Sequence, residues 1–280
     1  MPSDAQATPP EDAQRDRVAE FHRLHESGTF VMPNPWDAGS AVVMEQLGFP
    51  ALASTSAGAA WTVGRPDNGL TLQLALDHLR TLTAVVSVPV NADFEGGYAV
   101  DPEGVHSNVT LATDTGVAGL SIEDSSRDPD EPLFDFDLAV ERVAAARQAI
   151  DDSGTGVLLT ARTEGFVVGR PDLDETVRRL QAFAEAGADC LYAPRLGTVE
   201  QITAVLDAAG PKPVNLLINA PFITVAEAAS LGVRRISVGG TMSRVAWGGW
   251  LDAAREIAQD GTFTHFQDLP DVDGLLRARE

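Results

Sequence analysis

Gly187-Ala188-Asp189-Cys190-Leu191 stands directly behind an amphipathic stretch, residues 174–185, that carries Val177, Leu180 and Ala184 on one face. Three other places repeat the arrangement: Gly48-Phe49-Pro50-Ala51-Leu52, Gly116-Val117-Ala118-Gly119-Leu120 and Gly232-Val233-Arg234-Arg235-Ile236. In each, a helical pattern closes on a glycine, the residue that tolerates the left-handed conformation ending a helix. A short apolar run follows that reads as a buried parallel strand. Further apolar runs at 30–32, 88–90, 157–160 and 214–218 bring the strands to eight. Strand–helix alternation repeated eight times, with no Pro/Gly/Ser-rich linker, predicts an α/β fold: a single (β/α)8 barrel of the TIM type. An open doubly wound sheet shares the alternation, but no glycine-rich phosphate turn follows the first strand. Residues 1–13, rich in Pro, Ala, Asp and Gln, read as a disordered tail, and a helical pattern (Val18, Phe21, Leu24) occupies 16–27. Residues 14–280 read as one barrel domain with a C-terminal helical extension, of which 241–259 form a helix.

The charge narrows the partners. The 280 residues carry 41 acids against 20 bases, a formal net charge of −21. That field repels a nucleic-acid duplex or an anionic membrane, so neither is expected as a partner. Lys212 is the only lysine, and it sits in the turn Gly210-Pro211-Lys212-Pro213, a poor place for a Schiff-base nucleophile. One cysteine, Cys190, excludes a disulfide framework and a cysteine-based zinc site. No apolar run approaches the roughly 18 residues of a membrane helix, and no secretory signal pattern opens the chain. A soluble, cytoplasmic protein is expected.

A barrel of this kind gathers its active site at the C-terminal ends of its strands. There the sequence places Ser54-Thr55-Ser56-Ala57-Gly58 after the second strand and Asn91-Ala92-Asp93-Phe94-Glu95 at the third. Ile122-Glu123-Asp124 ends the fourth strand and Thr160-Ala161-Arg162-Thr163-Glu164 the fifth; Pro194-Arg195, Asn219 and Gly239-Gly240 end the last three. Asp93 and Glu123 on adjacent strands can share a hard cation, and oxygen ligands with retained waters suit Mg2+. Arg162 can fork onto a substrate carboxylate, and the hydroxyls and N–H groups of Thr55, Ser56 and Ala57 can hold another anionic oxygen. Each residue also has a plainer reading: an acid at a strand end serves as a helix N-cap, and Arg162 can simply pair with Glu164. The five histidines fall on helical patterns or the tail, away from the strand ends.

Together these pieces resemble the isocitrate lyase/phosphoenolpyruvate mutase superfamily over about residues 16–260. The stretches that carry the likeness are Pro33-Asn34-Pro35-Trp36-Asp37-Ala38-Gly39-Ser40-Ala41, Gly64-Arg65-Pro66-Asp67, Asn91-Ala92-Asp93, Ile122-Glu123-Asp124 and Ala161-Arg162-Thr163-Glu164. The resemblance implies a Mg2+-dependent barrel, a homo-oligomer (tetramer or dimer) that swaps its eighth helices, and chemistry on small 2-oxo or 2-hydroxy acids through an enolate-type intermediate. It implies Asp93 and Glu123 as the metal carboxylates, and Thr55, Ser56, Ala57, Asn91, Arg162, Arg195 and Asn219 as substrate contacts. Arg162, Asp67 and Glu164 are then the candidate catalytic residues. Family members usually open the third-strand motif with aspartate, where this chain has Asn91. The lyases' cysteine- and histidine-bearing gating motif is replaced by Ser125-Ser126-Arg127-Asp128-Pro129-Asp130-Glu131-Pro132, a loop expected to close over the site. The expected activity is a carbon–carbon lyase, hydrolase or decarboxylase. Cleavage or rearrangement of a carbon–phosphorus bond, with Arg127 supporting a phosphonate, and a barrel that binds keto acids without turnover are the alternatives.

Overall fold

The computed structural model describes residues 11–277. Eight parallel strands lie in the order β1-β8-β7-β6-β5-β4-β3-β2. They are β1 (Phe30–Met32), β2 (Leu52–Ala53), β3 (Val90–Asp93), β4 (Gly119–Glu123), β5 (Leu158–Arg162), β6 (Cys190–Tyr192), β7 (Val214–Leu217) and β8 (Arg235–Ser237). The Ala53 N–H donates to Pro33 O at 3.0 Å, joining β2 to the end of β1 and closing the barrel. The expected eight-stranded α/β barrel is therefore what the chain forms. Among the described residues no helix is long and apolar enough to cross a membrane.

Side-chain oxygens fix where the helices begin. Asp37 and Ser40 form a capping box on α2 (Ala38–Gln46), Thr55 caps α3 (Ser56–Thr62) and Thr71 caps α4 (Leu72–Val85). Asp101, followed by Pro102, opens α5 (Pro102–Thr113), and Asp135 opens α6 (Phe136–Ser153). Asp172 caps α7 (Leu173–Glu185), while capping boxes start α8 (Val199–Ala209) and α9 (Val225–Leu231). Each cap satisfies N–H groups that have no partner inside the helix.

Outward-facing strand residues such as Val90, Ala92, Leu120, Ile122, Leu159 and Ile236 are buried beneath these helices. The barrel interior is polar instead. Arg235, 1% exposed, donates to Asn215 Oδ1 at 2.9 Å and Thr160 Oγ1 at 3.0 Å, and Asn215 Nδ2 donates to Ser237 Oγ at 2.9 Å. Helix α1 (Glu11–Glu26) plugs the N-terminal end. Phe21 and His25 meet Phe30 edge-on, with centroids 6.4 and 5.1 Å away. Gly119 is required there, because a Cβ would lie 2.5 Å from Phe21 Cε1 and 2.7 Å from Asn91 Oδ1.

Several boundaries differ from expectation, the tail and the third strand most clearly. Of the tail expected over 1–13, residues 1–10 lie outside the described residues, but 11–13 belong to α1. Gln14 Nε2, donating to Thr113 O and Val117 O at 2.7 and 3.1 Å, holds that first turn against the barrel. The third strand runs 90–93 rather than 88–90, because the polar side chains of Asn91 and Asp93 face the barrel interior. After β8, helix α10 (Thr241–Asp260) buries only Ser243 and leaves Val245, Trp247 and Trp250 exposed. A 3-10 turn (Thr264–Phe266) folds back on it, and α11 (Val272–Arg277) packs against α2.

Candidate active site

Arg162 ends β5 and is the hub of a charge cluster at the C-terminal rim. Strand register places Glu123 of β4 and Tyr192 of β6 beside it in one layer. Its Nε donates to Glu164, and its Nη1 stands 3.3 Å from Asp93 Oδ1 and 3.4 Å from Glu123 Oε2. Its Cζ lies 5.3 Å from the centroid of the Tyr192 ring. Burial pushes the Glu123 carboxyl well above the usual range, with Arg162 opposing and Glu164 and Asp93 adding to the rise. Glu164 is raised by the same burial against the pull of Arg162. Burial would weaken the Arg162 charge, but Glu164 and Glu123 outweigh it and hold the guanidinium firmly protonated. Burial also lifts the Tyr192 phenol to about 12, so it stays protonated as a hydroxyl.

The surrounding residues fix this geometry. The Asp93 N–H donates to Ser54 Oγ at 2.8 Å, while Asp93 Oδ2 accepts from both the N–H and the hydroxyl of Ser56 at 2.9 Å. Asp124, 2% exposed, accepts from Thr163 Oγ1 and the Glu164 N–H, both at 2.8 Å, and from Arg179 Nη1 at 3.2 Å. That arrangement sets the backbone that carries Glu164. Arg142 donates to the carbonyls of Ala99 and Val100, each at 2.6 Å, and of Gly96, pinning the loop after β3.

Above Arg162 opens a cavity of about 460 Å3. Thr55, Ser56, Ala57, Asp67, Asp93, Glu123, Arg162, Glu164, Arg195 and Asn219, all expected at the site, line it. Asn91 does not. Two residues along a strand span about 6.6 Å on one face, so Asn91 lies a layer deeper, in a chamber of about 40 Å3 shared with Arg235. It lines that chamber together with Asp93, Arg162 and Tyr192, and among the described residues its Oδ1 has no hydrogen-bond partner. Ser56 turns out to hold Asp93, and the Thr55 hydroxyl accepts from the Gly58 N–H at 3.3 Å as the α3 cap. Gly239 and Gly240 form a tight turn, with Asn34 Oδ1 accepting from the Val238 and Gly239 N–H groups at 2.9 Å.

The loop over residues 125–132 is a small hairpin. Ser125 bridges Leu133, the Ser126 N–H donates to Pro132 O at 3.0 Å, and Arg127 pairs with buried Glu95. Of this loop only Ser125 lines the cavity. Sequence reasoning missed Tyr192, Trp61, Arg244 and the Glu95–Arg127 pair. Interior parity would have found Tyr192, one strand over from Arg162. Nothing local marks Trp61 or Arg244, which reach the cavity from helices α3 and α10.

A parallel (β/α)8 barrel with acids from β3 and β4 converging on an arginine from β5 defines an acid-handling barrel of the isocitrate lyase/phosphoenolpyruvate mutase superfamily. The chain belongs to the phosphoenolpyruvate phosphomutase family, whose sequence pattern matches residues 21–258. It is similar to a lyase/mutase candidate from Burkholderia cenocepacia J2315, with 43% identity, a TM-score of 0.91 and coverage of 95% of this chain and 97% of that one. Oxaloacetate decarboxylase of Paraburkholderia xenovorans (strain LB400) is 32% identical over 80% of this chain and 74% of its own. A phosphonopyruvate hydrolase in complex with oxalate and Mg2+ shares 26% identity and a TM-score of 0.81, covering 94% of this chain and 96% of that one.

Proposed function

We propose that this protein is a Mg2+-dependent lyase, hydrolase or decarboxylase. It would break a carbon–carbon bond in a small 2-oxo or 2-hydroxy (di)carboxylate through an enolate-type intermediate. The observation that carries this reading is the convergence of Asp93, Glu123 and Glu164 on Arg162, in a cavity that no histidine or cysteine among the described residues lines.

The donor set suits the metal. Asp93 and Glu123 are hard oxygen donors that approach a common point, within 3.3 and 3.4 Å of Arg162 Nη1. Among the described residues no group of three or more His, Cys, Asp or Glu forms a closed cage. One or two carboxylates with retained waters is the arrangement Mg2+ favours. When bound, Mg2+ would supply positive charge to the substrate oxygen that turns negative as the bond breaks. The chain's own groups do the rest. Arg162 forks onto the substrate carboxylate, held in plane by Glu164. The Ala57 N–H, in the first turn of α3, is open to a second acid oxygen. Ser56 keeps Asp93 in position. Asp67 lies exposed at the mouth, outside the Arg162 ion-pair network, where it can meet a ligand.

Relatives in the family include both carbon–carbon and carbon–phosphorus enzymes by name. The residue expected to support a phosphonate, Arg127, is engaged by Glu95 and does not line the cavity, which favours carbon–carbon chemistry. We also propose that the exposed face of α10, with Trp247 and Trp250 stacked edge-on at 5.0 Å, packs on a neighbouring subunit of a cytoplasmic homo-oligomer. A monomer by light scattering would reject that packing.

A panel of 2-oxo and 2-hydroxy acids, assayed for Mg2+-dependent cleavage, tests the activity. Turnover that falls more than a hundredfold in Asp93→Ala is expected. Full turnover in that variant would remove the assignment. Phosphate release from phosphonopyruvate would move it to carbon–phosphorus chemistry, and binding without any turnover to a non-catalytic barrel.

A further inference from the structure

Breaking a carbon–carbon bond leaves an electron pair on carbon that must take up a proton, and few groups in the cavity can give one. Glu164 is committed to Arg162, and Asp93 and Glu123 to the cation they would hold. Guanidinium groups keep their protons. The Ser56 hydroxyl is spent on Asp93 Oδ2, and aliphatic alcohols such as those of Thr55 and Thr241 are weaker acids than a phenol. Asp67 stands out at the solvent mouth. Tyr192 is the phenol at the deep end.

Its surroundings suit it to that step. Strand register sets Glu123, Arg162 and Tyr192 side by side on β4, β5 and β6. Tyr192, 8% exposed, lines both the cavity and the small chamber under it, so it forms part of the wall between them. On the chamber side, Arg235 Nε donates to Asn215 Oδ1, and Asn215 Nδ2 donates to Ser237 Oγ, each at 2.9 Å. Because Ser237 accepts from Asn215, its own proton is available to the Tyr192 oxygen beside it. The Tyr192 proton is then free for a ligand, and no acceptor among the described residues takes it. Burial holds the phenol protonated, with a pKa of about 12, while Arg162 and Ser237 pull that value down. The same two groups would steady the phenolate left once the proton has gone.

We propose that Tyr192 is the catalytic residue that gives its proton to the enolate carbon, with Ser237, held by Asn215 and Arg235, aiming the hydroxyl. This rests on the proposed function above, in which cleavage leaves its electron pair on a 2-oxo acid as an enolate. The Tyr192 O–H bond breaks with its electrons kept on the phenolate oxygen. The enolate pair forms the new C–H bond at carbon 3, and the 2-oxo group is restored. Water then returns a proton to the phenolate. The enolate carbon of a 2-oxo acid is a stronger base than a phenolate, so the transfer runs downhill.

The reverse of this transfer exchanges the carbon-3 protons of a 2-oxo acid with solvent, a reaction that requires no knowledge of the natural substrate. Proton NMR of pyruvate and of 2-oxobutyrate in deuterium oxide, with Mg2+ and the full-length protein, reads it directly. The wild type is expected to exchange at least one of the two acids. Tyr192→Phe should slow that exchange by about a hundredfold or more, the contribution of a positioned general acid, and still bind oxalate with Mg2+ within twofold of wild type. Ser237→Ala, which keeps the phenol and removes its hydrogen-bond donor, should slow exchange several-fold. A smaller fall in Tyr192→Phe, or loss of oxalate binding together with exchange, would overturn the proposal, the second by making Tyr192 part of the wall only. A wild type that binds oxalate with Mg2+ but exchanges neither acid also overturns it and leaves the proposed metal site standing. Exchange that depends on Tyr192 in a protein that does not bind oxalate keeps the proton donor and removes the metal site. Neither exchange nor oxalate binding overturns both.

Discussion

Replacing Arg162 by glutamine would strand three acids at once. The side chains of Glu123 and Glu164 are 8% and 4% exposed and that of Asp93 is 20% exposed, and the guanidinium is the cation they share. Removing one partner of a buried pair costs about 3–5 kcal/mol, because the remaining charge keeps its desolvation penalty without its attraction. For a domain of this size each kcal/mol moves the melting temperature by about 2–4 °C, so a drop of about 6–20 °C is expected in chelator. The assay is thermal unfolding followed by circular dichroism, with EDTA or with Mg2+. Added Mg2+ should return part of the loss in the variant, since a dication between Asp93 and Glu123 substitutes for the missing charge. The double variant Arg162→Gln/Glu164→Gln should also melt higher than the single one, because the most deeply stranded acid is gone. A single variant that melts within about 2 °C of wild type in EDTA would refute the reasoning, since the acids would then not depend on Arg162.

Other consequences are simpler to state. His25 lies between an acceptor, Phe21 O at 2.6 Å, and a donor, Arg235 Nη1 at 3.3 Å, which fixes the neutral ring with its proton on Nδ1. Burial, reinforced by Arg235, lowers its pKa to about 3. The unfolded chain takes up that proton near pH 6.5, so the stabilisation is present above 6.5 and is lost progressively as pH falls toward 3, by about 2 kcal/mol at pH 5. His25→Gln should lose less melting temperature than wild type between pH 7 and pH 5, and an equal loss would contradict the assignment. Gly119→Ala should destabilise by about 1–3 kcal/mol in chemical denaturation, because its Cβ would meet Phe21 and Asn91; an unchanged midpoint would show that α1 shifts freely. Glu256 accepts from the Thr262 and Thr264 hydroxyls and from the Thr264 and His265 N–H groups, tying the turn after α10 to the helix. Limited proteolysis of Glu256→Ala should cut near residues 261–270 several-fold faster, and identical digestion patterns would count against that tie.

The barrel was legible because its punctuation is local. A glycine that ends a helix needs only its own backbone freedom, and Gly48, Gly116, Gly187 and Gly232 all have positive φ, 83–105°. The third strand extends past its apolar run because Asn91 and Asp93 face a polar barrel interior, which an apolar pattern does not mark. The acids and Arg162 were legible because strand ends in this fold share one rim. Their division of labour was not, since Ser56 reaches Asp93 across 37 residues and Arg127 reaches Glu95 across 32. Arg244 was hidden for the same reason: its place at the cavity depends on how α10 leaves β8, which helical periodicity does not encode.

Titration of oxalate with and without Mg2+ tests the central claim most directly, because oxalate mimics a pyruvate enolate and requires no knowledge of the substrate. Tight binding with Mg2+ and none in EDTA is the predicted result, and Asp93→Ala should abolish it. Equal binding in EDTA, or no binding under either condition, would contradict the assignment of Asp93 and Glu123 as a metal site.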